Sequence, residues 1–407
     1  MQLIIPDPVL GPWAKGIAPR LHGLPLSEVA AAEARLSEFP TPVFTVHEAA
    51  LTHNETTVFA WAREQGVLMA PHGKTSMSPA LWQRLLDAGA WGITLATPWQ
   101  AQLAISSGVP TVLIAHGVVD HASVQQLAAQ LDARPGLRVI CWADSVEAVN
   151  ILQRGMDGSS AVLDVLVEIG GMKGRTGARS IDDGVAIAKA IHGASHLRLA
   201  GIGGYEGPFG SERTAHEQDS VDAYLSTFLT LHSAVGELYD GSVRPILSAG
   251  GSAWPDRVAA VLSQASETAD VVVRSGAFQI HDDGLYRRVS PFGKIVDTAP
   301  LRSAMHVWSR VVSRPEPDLA LLDAGRRDAS FDNGLPEPQG VDGEVIKLND
   351  QHAFLRLPED STVAIGDVIR LGVSHPCTVF DKWRVGVVID DPDAADPRVI
   401  GAFATCF

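Results

Sequence analysis

Between about residues 66 and 280 the chain alternates short apolar, β-rich runs with longer amphipathic stretches. Runs at 67–70, 90–96, 111–115, 137–143, 161–169, 197–203, 245–249 and 270–274 predict strands. Segments such as 79–88, 98–107, 121–131, 181–191 and 214–239 space their apolar residues as helices do. Eight apolar strands with helical crossovers are what a closed parallel barrel requires, because each strand is buried on both faces. The expected fold class is therefore α/β, built on a (β/α)8 TIM-type barrel. A doubly wound open sheet is the alternative, but it usually carries a glycine-rich turn after its first strand. Here the first strand is followed by Pro71-His72-Gly73-Lys74-Thr75-Ser76.

After about residue 290 the helical periodicity fades. Short strands are predicted at 305–313, 320–323, 343–348, 352–357, 368–371 and 384–389, separated by turns such as Asp332-Asn333-Gly334 and Ile365-Gly366-Asp367. This reads as a C-terminal, mainly-β domain. Residues 26–39 look helical, and 41–47 look like a strand able to join the C-terminal sheet. The expected organisation is an N-terminal segment over 1–40 packing on the β-domain, a barrel over 41–290 and the β-domain over 291–407.

Composition narrows the class. With 407 residues, 46% hydrophobic and 19% charged, there is ample material for a core. A formal charge of −15 argues against nucleic acid or an anionic membrane as the main partner. Three cysteines give no disulfide framework and suit a reducing cytoplasm. No signal peptide is apparent at the N-terminus, and no apolar run is long enough to span a membrane.

Lys74 sits directly behind the first strand and just before a helix opening at Ser78-Pro79. A lysine at the mouth of a buried strand loses hydration, which disfavours its charge and makes the amine a better nucleophile toward a carbonyl. Barrel enzymes place their chemistry at the C-terminal ends of the strands, and often hold a phosphate with the loops after strands seven and eight. Those strands end in Gly250-Gly251-Ser252 and in Arg274-Ser275-Gly276-Ala277, where backbone amides and a helix starting at Ser252 can face an anion. The fifth strand ends in Gly170-Gly171-Met172-Lys173-Gly174-Arg175-Thr176-Gly177, which leaves Arg175 room to turn into a pocket. The sixth ends in Gly204-Tyr205-Glu206-Gly207 and brings an aromatic hydroxyl to the same face. Ser374-His375-Pro376-Cys377 sets an imidazole and a thiol two residues apart, a half-site for Zn²⁺ with positions left open. His116 and Cys141 read as serving the barrel's packing and polar rim, and Trp308, Phe380 and Trp383 as core, with shaping of a pocket the alternative.

In combination these motifs resemble the fold-type III pyridoxal-phosphate enzymes, in the branch of D-threonine aldolase and eukaryotic-type D-serine dehydratase, from about residue 40 to the C-terminus. The resemblance implies pyridoxal 5'-phosphate as cofactor, held by Lys74. It implies contacts from Arg175, Tyr205, Gly250, Gly251, Ser252, Ser275 and Gly276. It also implies a divalent metal at the C-terminal motif, on His375 and Cys377, with Zn²⁺ favoured by the thiolate over other divalent ions. Asp323 and His352 resemble positions facing that site, and His352 is the one candidate for a second catalytic base. The expected reaction is dehydration and deamination of a D-β-hydroxy amino acid to a 2-keto acid and ammonia. Aldol cleavage to glycine and an aldehyde is the alternative, and amino-acid racemisation the next. A non-catalytic single-barrel cofactor carrier is disfavoured by the extra domain. The expected partner is a small D-amino acid, with neither nucleic acid nor membrane involved, and the expected form is a cytoplasmic homodimer.

Overall fold

A computed structural model describes residues 2–172 and 174–407 of the chain, so Lys173 of the glycine-rich loop lies outside the described residues. The first strand, β1 (Val43–His47), leads into α1 (Glu48–Glu64). Eight parallel strands follow: β2 (Leu68–Met69), β3 (Ile93–Leu95), β4 (Thr111–Gly117), β5 (Arg138–Ala143), β6 (Leu163–Glu168), β7 (Leu197–Gly203), β8 (Ile246–Ala249) and β9 (Asp270–Val273). Their order is β2-β9-β8-β7-β6-β5-β4-β3. A bridge between His72 and Thr94 and hydrogen bonds from Gly73 N to Thr94 O (2.8 Å) and Thr94 N to Pro71 O (3.0 Å) join the two ends, closing the barrel. Closure thus runs through the same segment that carries Lys74.

The crossovers are α2 (Pro79–Asp87), α3 (Pro98–Ser106), α4 (His121–Ala133), α5 (Val146–Met156), α6 (Ile181–His192), α7 (Ala215–Ala234) and α8 (Pro255–Leu262). Local chemistry sets their starts. Thr97, Asp120, Ser145, Ser180 and Thr214 each cap a helix by accepting a backbone N–H, and Pro opens α2, α3 and α8. Inside the barrel Leu113, Ile140, Trp142, Leu166, Ile246 and Val272 pack together, and a larger core fills the layer between strands and helices. At the N-terminal face, buried Asp164 takes Arg138 Nε (2.7 Å) and Arg198 Nε (2.6 Å), a pairing far from the strand ends that carry loops.

The second sheet holds β10 (Met305–Glu316), β11 (Leu319–Leu322), β12 (Glu337–Gln339), β13 (Glu344–Leu348), β14 (Ala353–Arg356), β15 (Val368–Gly372), β16 (Val385–Ile389) and β17 (Val399–Ala404). β1 inserts into it, antiparallel to β10 and parallel to β16. Residues 26–39 do not form the expected helix; they fold as 3-10 turns at Leu26–Glu28, Ala30–Ala32 and Leu36–Glu38. Glu33 adopts a left-handed φ of 49°, which breaks the run before a second α-turn can form. β12 and β17 were not anticipated; β17 carries Gly401 and two alanines, weak strand signals by themselves.

The aromatic residues expected as packing anchor the sheet domain. Phe44 is 1% exposed, edge-on to Phe380 (5.1 Å), stacked on Trp383 (5.9 Å) and near Phe403 (6.4 Å). Replacing Phe44 by alanine should lower stability by about 3–5 kcal/mol. A fall in the midpoint of chemical unfolding checks this.

Candidate active site at the barrel mouth

The C-terminal strand ends surround a cavity of about 470 Å³. Lys74, Arg175, Tyr205, Gly250, Gly251, Ser252, Ser275, Gly276, His375 and Cys377 all line it. Lys74 opens onto the cavity, so its tip meets solvent, while protein crowds its remaining sides. That loss of water is the main reason its amine lies below the ordinary lysine pKa; Cys377 opposes the shift, and Arg175 and Arg274 add to it. His72, beside it, is held well below its usual value, first by burial and then by the charges of Lys74, Arg274 and Arg175. It is a neutral imidazole.

Arg274 is the least expected member. It ends the apolar run of β9, is 2% exposed, and stacks 4.8 Å above the Trp142 ring. Its Nη1 donates to Ser248 Oγ (2.9 Å) and its Nη2 to Gly204 O (2.6 Å). Both partners are neutral, and burial depresses its pKa to about 10. Arg274 Nε, Trp142 Nε1 and His72 Nδ1 are buried polar atoms around this cavity with no hydrogen-bond partner among the described residues. Unsatisfied buried polar atoms are costly, so a polar ligand in the cavity is the natural recipient.

The loops differ in what they leave free. The loop after β6 folds back tightly: a Cβ on Gly177, whose φ is 98°, would stand 2.3 Å from Gly170 N. Arg179 pins the loop through Gly171 O (2.7 Å) and Arg175 O (2.8 Å), and Thr176 donates to buried Glu168. Arg175 itself remains open to the cavity, its guanidinium 5.3 Å from the Tyr205 ring centroid. After β9, Gly276 passes so close to the barrel seam that a Cβ would lie 2.5 Å from His72 N. The amides of Ser252, Gly276 and Ala277, all at the cavity, meet no acceptor among the described residues. The amides of Gly250 and Gly251 are different, since both donate to the carboxylate of Glu206. Helix α8 begins at Pro255, so Ser252 precedes it rather than opening it.

The second domain closes the cavity. Cys377 Sγ lies 3.2 Å from Thr75 Oγ1, one residue from Lys74. Although burial raises the Cys377 thiol, hydrogen bonds with His375 and Thr75 and the charges of His375 and Lys74 hold it below its usual value. The His375 ring bonds Cys377 and, through Nδ1, Asp332 Oδ2 at 2.6 Å; both raise its pKa, to about 9. Asp332 also accepts from Thr378 Oγ1 (2.9 Å). His375 has a left-handed φ of 58°, and Asp282 steadies it by accepting its backbone N–H at 2.7 Å. An imidazole held by a carboxylate at Nδ1 with a thiol as its neighbour is a donor set suited to a soft or borderline divalent ion. Among the described residues no third His, Cys, Asp or Glu joins the pair, so exogenous ligands would complete the coordination.

The relatives fit this arrangement. A family described as "Putative serine dehydratase domain" matches residues 304–389. The chain is 26% identical to 3-hydroxy-D-aspartate aldolase of Paracoccus denitrificans, over 86% of this chain and 89% of that one. It is also 26% identical to D-threonine aldolase of an Arthrobacter species, over 94% and 97%. Among solved structures, D-threonine aldolase from Filomicrobium marinum superposes with a TM-score of 0.79 at 23% identity, covering 92% of this chain and 97% of that one. D-threo-3-hydroxyaspartate dehydratase from a Delftia species gives 0.69 at 20%, covering 88% and 97%. The chain shares the alanine-racemase-like fold, a parallel barrel followed by a mainly-β domain.

Some expected site residues fall elsewhere. His352 is exposed on the turn between β13 and β14, outside the cavity. Asp323 is structural, accepting from Thr41 Oγ1 (2.6 Å), Ser309 Oγ (2.8 Å) and Arg310 N (2.8 Å). His116, read as barrel packing or polar rim, lines the cavity, because β4 runs to Gly117 and delivers it to the rim. Cys141 is fully buried, its thiol pushed up to about 12 by burial. Arg274, Glu206, Asp332 and Tyr286 were not singled out. A charged residue ending the apolar run Val271–Val273 was the signal available for Arg274.

Proposed function

We propose that the chain is a pyridoxal-phosphate-dependent lyase that dehydrates and deaminates a D-β-hydroxy amino acid of the serine, threonine, phenylserine or hydroxyaspartate type. The supporting observation is the meeting of Lys74 with the His375–Cys377 pair at one cavity, through the Thr75–Cys377 contact. The size of the cavity suits a small cofactor and substrate. The free amides of Ser252, Gly276 and Ala277 fit a phosphate, and Arg175 a phenolate. When bound, pyridoxal phosphate supplies an electron sink for Cα of the attached amino acid, and zinc a Lewis acid for the departing hydroxyl.

Lys74 acts twice. Its amine, less readily protonated than that of an ordinary lysine, would anchor the cofactor and, when free, would take the Cα proton of the substrate. His375 and Cys377 would hold the metal, and Asp332 orients the imidazole. Tyr205 and Trp142 wall the cavity and exclude water. Loss of the Cα proton and the β-hydroxyl, followed by hydrolysis of the product, gives a 2-keto acid and ammonia.

The curated relatives named as aldolases favour a second reading, cleavage of Cα–Cβ to glycine and an aldehyde. That reaction needs a base at the β-hydroxyl, and His352, the residue expected to serve, does not reach the cavity. Assay of keto acid, ammonia, glycine and aldehyde across a panel of D-β-hydroxy amino acids separates the two. Keto acid and ammonia in equal amounts, with little glycine, is the expected result. Stoichiometric glycine and aldehyde without Cα exchange overturns the dehydratase reading.

A further inference from the structure

Glu206 follows β7 and is 0% exposed. A buried carboxylate is costly unless donors surround it. Its Oε2 accepts Gly250 N at 3.0 Å and its Oε1 accepts Gly251 N, so it fills the nest of two successive amides made by the turn after β8. Ser275 Oγ clamps the same turn from the other side, donating to Gly251 O at 2.7 Å. The buried guanidinium of Arg274, which makes no ion pair among the described residues, feels the charge of Glu206. The two amides that a Gly-Gly turn would offer an external anion are therefore already taken by an internal one. A phosphate could reach them only by expelling a fully buried side chain.

We propose that Glu206 is a positioning residue for the cofactor phosphate. It locks the Gly250–Gly251 turn from beneath. The phosphate is thereby directed to the unpartnered amides of Ser252, Gly276 and Ala277 rather than to those of the two glycines. This rests on the cofactor reading above. Glu206→Gln would set an amide NH₂ against one of the two glycine N–H groups, and the turn would lose its lock.

The test compares pyridoxal phosphate with pyridoxal, which lacks the phosphate, in titrations of the cofactor-free full-length protein. Glu206→Gln should weaken pyridoxal phosphate at least about tenfold, as expected for losing a hydrogen bond to a charged group, and leave pyridoxal affinity unchanged. Glu206→Asp keeps the charge but shortens the reach. It should show a smaller loss with the same selectivity, and it decides the matter if the glutamine variant does not fold. Equal losses for both ligands, unchanged affinity, or tighter phosphate binding in either variant overturns the proposal while the cofactor reading stands. Failure of the unaltered protein to bind pyridoxal phosphate overturns both.

Discussion

Lys74→Ala should abolish covalent capture of pyridoxal phosphate and reduce turnover by at least about 10²–10⁴-fold, since the change removes both the anchor and the base. Borohydride treatment of the unaltered protein should fix the cofactor on the peptide containing Lys74, read as a mass increment absent from the variant. Among the described residues Lys74 is the one lysine that lines the cavity, beside Arg175, Arg274 and His72. The depressed pKa adds a pH signature. Deprotonation liberates the nucleophile, so the rate of cofactor attachment to the apoprotein should rise with pH and level off below the ordinary lysine value of 10.5. A colourless protein, or an alanine variant with full activity, would exclude the reading.

His375→Ala and Cys377→Ala should each remove activity as completely as chelation does, while the cofactor stays attached to Lys74. Among the described residues no third His, Cys, Asp or Glu groups with this pair, so loss of either leaves a single anchor. Zn²⁺ should restore the chelated protein better than Mg²⁺, because a thiolate suits the softer ion. Asp332→Asn provides the graded case: with both direct donors intact but the imidazole less firmly oriented, metal affinity should fall by about 10–100-fold. Direct metal analysis reads all three variants. If chelators do nothing and no divalent ion copurifies, metal-free racemisation becomes the better account.

The barrel was legible because its strands are short apolar runs between helices with strong start signals, and each predicted barrel strand has a counterpart. Lys74 and the His375–Cys377 pair were legible because an amine behind an apolar run, or an imidazole two residues from a thiol, is unusual in itself. Arg274 was not, because a charged residue ending a strand reads as a solvent-facing terminus until the fold turns it inward onto Trp142. Asp332 sat in a turn whose Asp-Asn-Gly chemistry already accounted for it locally. The Gly250–Gly251 turn showed the limit in reverse. Its amides do bind an anion, but one supplied by Glu206 from a different loop, and only tertiary structure brings the two together.

The placement of β1 also constrains how the chain comes together. Its partners lie at residues 305–316 and 385–389, so this strand finds its second neighbour only after the whole barrel and most of the β-domain have been made. The barrel can assemble in the interval, since its strands pair with near neighbours in sequence apart from the closing β2–β9 pair. Until then Val43–His47 is an apolar strand without a sheet, and the C-terminal domain that carries His375 and Cys377 has an empty slot between β10 and β16. Removing the first 47 residues would therefore injure the domain at the opposite end of the chain.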